Sequence, residues 1–358
     1  MSISDQIIRL NNAKAAIKQS IKNKGVAVSD EAKLDEYPAL IDRIPTGEGG
    51  VESELFYNAL TSNGTNYSYL FAYKTIDDSS FIESLDTSKV TNMSYAFSNF
   101  KSSSKLDLSG WDVSSVKSTS MSYMFNYADI PELDITGWNV SNITNMNYMF
   151  NYFKGTKING ITDWDTSKVT NMQQMFKDCS NLTSLDLSKW NVSSVTNMSG
   201  MFDNITSLET LDLSGWNTSK VTSFGSIYWF LTGNSSSKLT TVIGSLDLSS
   251  CTSGMRYTST SYYCFETLPN LETVYLKNIY KNVTTMKNEL KWGINLGDTK
   301  VKDECLIYII NELPDLINDK GLTATDKIVF TLPPTNTLTA EQVQVAIDKG
   351  WNVGNTTY

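Results

Sequence analysis

Five tryptophans recur at Trp111, Trp138, Trp164, Trp190 and Trp216, separated by 27, 26, 26 and 26 residues. A Met-Phe pair closes the same unit at Phe125, Phe150, Phe176 and Phe202, in steps of 25, 26 and 26. A fixed period in this range requires stacked supersecondary units, because none of them can bury its apolar side alone. The cleanest copy reads Leu182-Thr-Ser-Leu-Asp-Leu-Ser-Lys-Trp190-Asn-Val-Ser-Ser-Val195-Thr-Asn-Met198-Ser-Gly-Met-Phe202. A partial unit opens at Leu85, complete units at Leu106, Leu133, Ile158, Leu182 and Leu208, and degraded ones at Leu239 and Leu271. Each Leu-x-Leu stretch alternates as a strand does, so stacking predicts a parallel sheet along the array. Met and Phe at three- and four-residue spacing predict a short helical turn on the back of that sheet. The expected fold class is an α/β solenoid, a leucine-rich-repeat-like array with a period of about 26.

Composition removes several function classes. The 358 residues carry a formal net charge of −9 and no histidine. Phosphate backbones demand clustered Lys and Arg, so no nucleic-acid partner is expected. The missing histidine takes away the commonest general base and zinc ligand, so no enzyme activity, cofactor or metal is expected. Cysteines at 179, 251, 264 and 305 are too few and scattered for a disulfide framework. Pairing of Cys251 with Cys264 stays open beside buried free thiols. Residues 1–9 offer no apolar signal-peptide core, and no run is apolar enough to span a bilayer. The expectation is synthesis in a cytoplasm, without general export or membrane insertion.

Before the array, Ile3, Ile7, Leu10, Ile17 and Ile21 follow alternating steps of four and three, with Lys14 at the one polar place in the seam. Isoleucine at both kinds of seam position favours three or four strands over two, a trimer first, although a helix docked on another surface fits the pattern too. Beyond Gly25, Leu34, Leu40, Ile41 and Ile44 form an apolar side on a second short helix that Pro38 can start, and Tyr37 joins Leu34, Leu40 and Ile41 among the attachment residues. Residues 1–44 are therefore read as a helical attachment and oligomerisation segment and 45–50 as a flexible linker. Residues 51–84 form a tyrosine-rich N-terminal cap, 85–290 the solenoid and 291–358 an α/β C-terminal cap. Val116 lies five residues from Met121, against three from Val169 to Met172, so the first complete repeat holds a small insertion.

Stacking at roughly 5 Å per unit turns repeated residues into columns. Asp107, Asp134, Asp186, Asp212 and Asp247 align as outward strand residues, a negative stripe that Ser and Thr hydroxyls can satisfy or a Ca²⁺ ion could bridge. Carboxylates one strand apart also admit glycoside hydrolysis, yet none is marked as a proton donor. Asn92, Asn145, Asn171 and Asn197 form a column expected to hold bends and neighbouring amides. Tyr95, Tyr123 and Tyr148 fill one register, and Tyr127 and Tyr152 another. A rigid body with a polar tip suits a binding site as well as edge packing.

The repeat Leu-Asp-Leu-Ser-Gly-Trp-Asn/Asp-Val/Thr-Ser-x-Val-Thr-Asn-Met-x-x-Met-Phe resembles the BspA-like leucine-rich repeat of bacterial surface proteins over residues 85–280. That resemblance implies adhesion through a binding surface, with no catalytic residues to carry over. The segment Leu10-Asn-Asn-Ala-Lys-Ala-Ala-Ile17, continued by Lys24-Gly-Val26 and Lys33-Leu-Asp-Glu-Tyr-Pro-Ala-Leu-Ile41, is similar to N-terminal segments of tailed-phage structural proteins. It implies anchoring to a virion. Together they make a non-enzymatic phage tail or head fibre the expected function, with other virion proteins and a host-surface glycan or protein as partners. A bacterial surface or interaction protein is the alternative, and a glycan-cleaving fibre a remote one.

Overall fold

The structure, a computed structural model, describes residues 65–223, 231–232, 236–247, 249, 256–257, 268–278, 291–297, 299–319 and 329–354. The expected helical segment at 1–44, with Ile3, Ile7, Leu10, Ile17, Ile21, Leu34, Tyr37, Leu40 and Ile41, lies outside them, as do the 45–50 linker, Cys251 and Cys264.

The repeats wind into a parallel-sheet β-solenoid. Strand β1 (Leu106–Asp107) pairs with β2 (Glu132–Asp134), and β2 with β3 (Lys157–Asn159), placing Leu106, Leu133 and Ile158 in register on the core side. Further along, β4 (Phe202–Asp203) lies on one side of a rung and β5 (Thr210–Asp212) on the next. Strand β4 pairs with β6 (Leu231–Thr232), while β5 pairs with β7 (Thr241–Asp247). These strands are short, and the core supplies most of the cohesion. Phe71, Phe97, Phe125, Phe150, Phe176 and Phe202 form a buried column with ring centroids 4.9 to 6.0 Å apart. Each such ring contributes about 1.5–3 kcal/mol by burial. The indole N–H groups of Trp111, Trp138, Trp190 and Trp216 donate to the carbonyls of Ile82, Leu108, Ile161 and Leu187, locking each rung to the one before.

The back of each rung corrects the expected helical turn, and with it the α/β reading of the repeat. The N–H groups of Met93, Tyr95, Phe97 and Asn99 donate to the carbonyls of Ser120, Ser122, Met124 and Asn126, one rung on. Between them Ala96, Ser98 and Phe100 close tight turns onto Met93, Tyr95 and Phe97. A helix would spend every N–H within its own turn; here alternate ones join rungs. Two left-handed residues per rung allow this, with φ of 60° at Tyr95 and 56° at Asn99. The same ladder is already present at residues 65–76, which the sequence places in the N-terminal cap: Tyr67, Tyr69, Phe71 and Tyr73 donate to Asn92, Ser94, Ala96 and Ser98. Ser120 closes a tight turn onto Lys117 across the first repeat's insertion, and the ladder runs through it: Lys117 donates to Thr91, and Ser118 accepts from Thr144 and Asn145.

The sheet is interrupted between β3 and β5. Residues 183–187 form no strand, and among them only Thr183 donates its N–H to the preceding rung, at Thr156. An inserted glycine follows β3 at the break, and a second lies within β7, beyond β5. Gly160 and Gly244 share a φ of 92°, and a Cβ on either would lie within 2.7 Å of main-chain atoms of the preceding rung.

Beyond β7, β8 (Arg256–Tyr257) and β9 (Thr273–Lys277) belong to different sheets: β9 pairs with β7, while β8 runs antiparallel to β10 (Lys291–Asn295). Before Val301 the described residues hold a single helix, α1 (Ser80–Glu83). Strand β10 continues in parallel through β11 (Val329–Thr331) to β12 (Asn352–Gly354). Helix α2 (Asp303–Glu312) packs on β9, with Tyr308 edge-on to Tyr275 at 5.2 Å. Thr339 and Gln342 form the capping box that starts α3 (Ala340–Asp348).

Candidate binding surface

Tyr69, Tyr95, Tyr123 and Tyr148 occupy one left-handed corner in four successive rungs, at φ of 58 to 60°, and Gln174 and Gly200 fill that corner in the next two. Tyr73, Asn99, Tyr127, Tyr152, Asp178 and Asn204 fill the other corner. Such corners normally take Gly or Asn, and a larger residue there costs roughly 1–2 kcal/mol. The rings stack face to face: Tyr69 on Tyr95 at 4.6 Å, Tyr95 on Tyr123 at 4.5 Å, Tyr123 on Tyr148 at 4.4 Å and Tyr127 on Tyr152 at 4.3 Å. Each pair returns about 0.5–1.5 kcal/mol. Tyr69, Tyr73, Tyr127 and Tyr152 remain exposed at 54, 73, 42 and 36%. The result is a rigid aromatic ribbon with hydroxyl tips along the turn edge.

Tyr69 and Tyr73 escape the sequence reading. Asn66-Tyr67-Ser68-Tyr69 does align with Asn92-Met93-Ser94-Tyr95, but Tyr67 replaces the diagnostic methionine. Burial, followed by the neighbouring tyrosines, pushes the Tyr123 hydroxyl up to about 12. Burial, followed by the negative charge of Asp178, pushes Tyr152 up to about 12. Both stay neutral and able to donate at ordinary pH.

The aspartate stripe is satisfied within the chain. Asp107 and Asp134 face each other on β1 and β2, and Asp134 faces Asn159 on β3. Asp107 accepts from the N–H and hydroxyl of Ser109 at 3.0 and 2.6 Å, and Asp186 from those of Ser188 at 3.1 and 2.7 Å. Asp212 accepts from the Ser214 N–H at 2.9 Å. The Lys105 ammonium sits 3.4 Å from Asp107 and 3.0 Å from Asp134, so the chain's own cation neutralises the like charges. The Ser109 and Ser188 hydroxyls hold Asp107 and Asp186 below the ordinary carboxylate range. At Asp134 burial pushes upward, but the Thr136 hydroxyl and Lys105 outweigh it. A general acid needs the opposite shift. Among the described residues no three acidic or cysteine side chains are grouped to hold a metal ion.

Asp247 does not belong to this stripe. Asp212 faces Ile243, and Gly244 displaces Asp247 onward. Its carbonyl accepts from Thr218 as the Asn191 carbonyl accepts from Thr166, which puts it in the column that follows the tryptophans. The asparagine column mainly closes local turns: Asn92, Asn145, Asn171 and Asn197 each accept from the N–H two residues on, at 3.0 to 3.1 Å. One side-chain amide reaches across rungs, from Asn197 to Gln173 at 3.4 Å.

Among the described residues no helix is long and apolar enough to cross a membrane. The model of a family described as "Mycoplasma protein of unknown function, DUF285" matches residues 56–160 and 151–261, together more than half of the chain. No curated protein matches the chain.

Proposed function

From the premise that the chain belongs to the DUF285 family, which is related to the BspA-like repeat proteins, we propose that it is a non-enzymatic adhesive fibre of a phage particle. The observation that carries this reading is the tyrosine ribbon: four successive rungs place a tyrosine in a corner that glycine fills without strain two rungs later. Neither the backbone nor the core requires those rings, and their exposed edges suit a host-surface glycan or protein. Residues 1–44 attach the chain to other virion proteins and oligomerise it, as a trimer. The unit from 291 to 358 caps the last rung through α2, and the chain is located in the virion. The phage part rests on the N-terminal resemblance alone. The family match by itself favours a second reading, a bacterial surface or interaction protein.

Mass spectrometry of purified virions separates the two, since the fibre must be a stoichiometric component. The Tyr127→Ser/Tyr152→Ser variant is expected to bind host cells at least tenfold more weakly while its melting temperature stays within a few degrees. Undiminished binding would overturn the role given to the ribbon.

A further inference from the structure

In the third complete repeat Trp164 lies six residues after Ile158, whereas in the second Trp138 lies five after Leu133. The extra residue is Gly160, whose missing Cβ would lie 2.4 Å from the main chain of Thr136. Two defects accompany it. Trp164 is 2% exposed, yet its indole N–H has no partner among the described residues, whereas Trp111, Trp138, Trp190 and Trp216 all reach the preceding rung. The strand ladder also stops at β3, and none of the N–H groups of residues 184–187 reaches the preceding rung. An unpaired buried N–H costs roughly 1–3 kcal/mol, and the other complete rungs avoid it with the same motif. A local departure from an otherwise repeated rule marks a functional place more often than an accident.

The break opens a groove of about 720 Å³ on the sheet face, and a second hollow of about 240 Å³ lies between Trp138 and Trp164 beside the same glycine. The larger volume falls within the roughly 300–1,000 Å³ typical of small-ligand sites. Its walls carry the carboxylates of Asp186, Glu209 and Asp212, the ammoniums of Lys157 and Lys238, and the amide of Asn159. Three negative groups against two positive ones leave little net charge, so neither a strong anion nor a strong cation is favoured. Both donors and acceptors line the walls, with no aromatic side chain among them. That pattern matches a ligand whose every hydroxyl both gives and takes a hydrogen bond. An extended peptide fits less well, because the N–H groups of a rung point along the solenoid axis toward neighbouring rungs and not out of the groove.

We propose that the Gly160 break is a binding site for a short uncharged saccharide, separate from the tyrosine ribbon. Hydroxyls of the sugar donate to the carboxylates of Asp186 and Asp212, which follow Asn159 in one column, and accept from the Lys238 ammonium, while Glu132 holds the Asn159 amide at 2.7 Å and sits 3.9 Å from Lys157. The site stands whether or not the ribbon is the receptor surface.

The full chain is to be tested on an array of neutral hexose and N-acetylhexosamine trisaccharides, uronate oligosaccharides and short peptides, with affinities measured by tryptophan fluorescence. Saturable binding of at least one neutral class is expected, with uronates and peptides at least tenfold weaker. Deletion of Gly160 restores the five-residue spacing, so binding should fall at least tenfold while the melting temperature holds or rises. Asp186→Asn/Asp212→Asn should lose at least fivefold with the shape kept, and it decides the matter if the deletion variant does not fold. Tyr127→Ser/Tyr152→Ser should bind the trisaccharide as the parent does, which separates this site from the ribbon. The proposal is overturned if no neutral saccharide binds, if uronates or peptides bind best, or if the Asp186→Asn/Asp212→Asn variant retains full affinity.

Discussion

Gly200 takes its left-handed corner at no steric cost, whereas Tyr95, Tyr123 and Tyr148 take the equivalent corner with a Cβ in the way. Stacking returns much of what the corner costs, so the ribbon is close to neutral for folding and its rings are available for contact. The stack also controls proton release. Tyr123 and Tyr152 have folded pKa values of about 12, above the ordinary value near 10, because burial and neighbouring groups disfavour the phenolate. A raised folded pKa stabilises the fold fully below pH 10, and that contribution disappears as pH climbs through 12. Absorbance at 295 nm should therefore show a late-titrating group of tyrosines, with loss of structure accompanying it. Simultaneous titration of all 18 tyrosines near pH 10 would contradict the stack. The registers of Tyr95 and Tyr127 were legible in the repeat because they are counted from Met and Phe. Their handedness was not, since a backbone dihedral leaves no mark in a column of tyrosines.

At the level of one rung, the phenylalanine column is the element that decides stability. Phe150 lies between Phe125 and Phe176 at 5.5 Å from each and touches Trp164 as well. Phe150→Ala removes these contacts and the edge-on one with Phe153, four ring contacts in all, and leaves a void, so chemical denaturation should report a loss of about 3–5 kcal/mol. A loss under 1 kcal/mol would mean that the rungs are held by their strands instead. The helical turn expected behind the sheet failed for a related reason. Met and Phe three and four residues apart face inward both in a helix and in a ladder of alternating tight turns, so periodicity over seven residues cannot separate them. Hydrogen bonds to the next rung do separate them, and those exist only once rungs are stacked. Asp247 shows the same limit: its Leu-Asp-Leu neighbours imitate the strand motif, and only pairing reveals that Gly244 has moved it to another column.

Across the whole molecule, one rung's losses pass to its neighbours, because each contacts only the rungs beside it. Acid should act on several rungs together. Asp107, Asp134 and Asp186 have folded pKa values below the ordinary carboxylate value near 3.9, so their contribution is intact above it and is lost as pH falls through the lower folded values. Melting followed by circular dichroism should be flat between pH 7 and 5 and fall steeply below about 4; an unchanged melting temperature at pH 3 would refute it. The period, the inward Leu, Trp, Met and Phe, and the parallel sheet were set by sequence alone, because equal spacing of apolar residues allows burial only by stacking. Left-handed corners, the Lys105 bridge between two aspartates, the orphan indole of Trp164 and the groove beside Gly160 were decided by the tertiary structure. Each depends on what the adjacent rung places within a few ångströms, and that distance is fixed only when rungs twenty-odd residues apart in the chain come into contact.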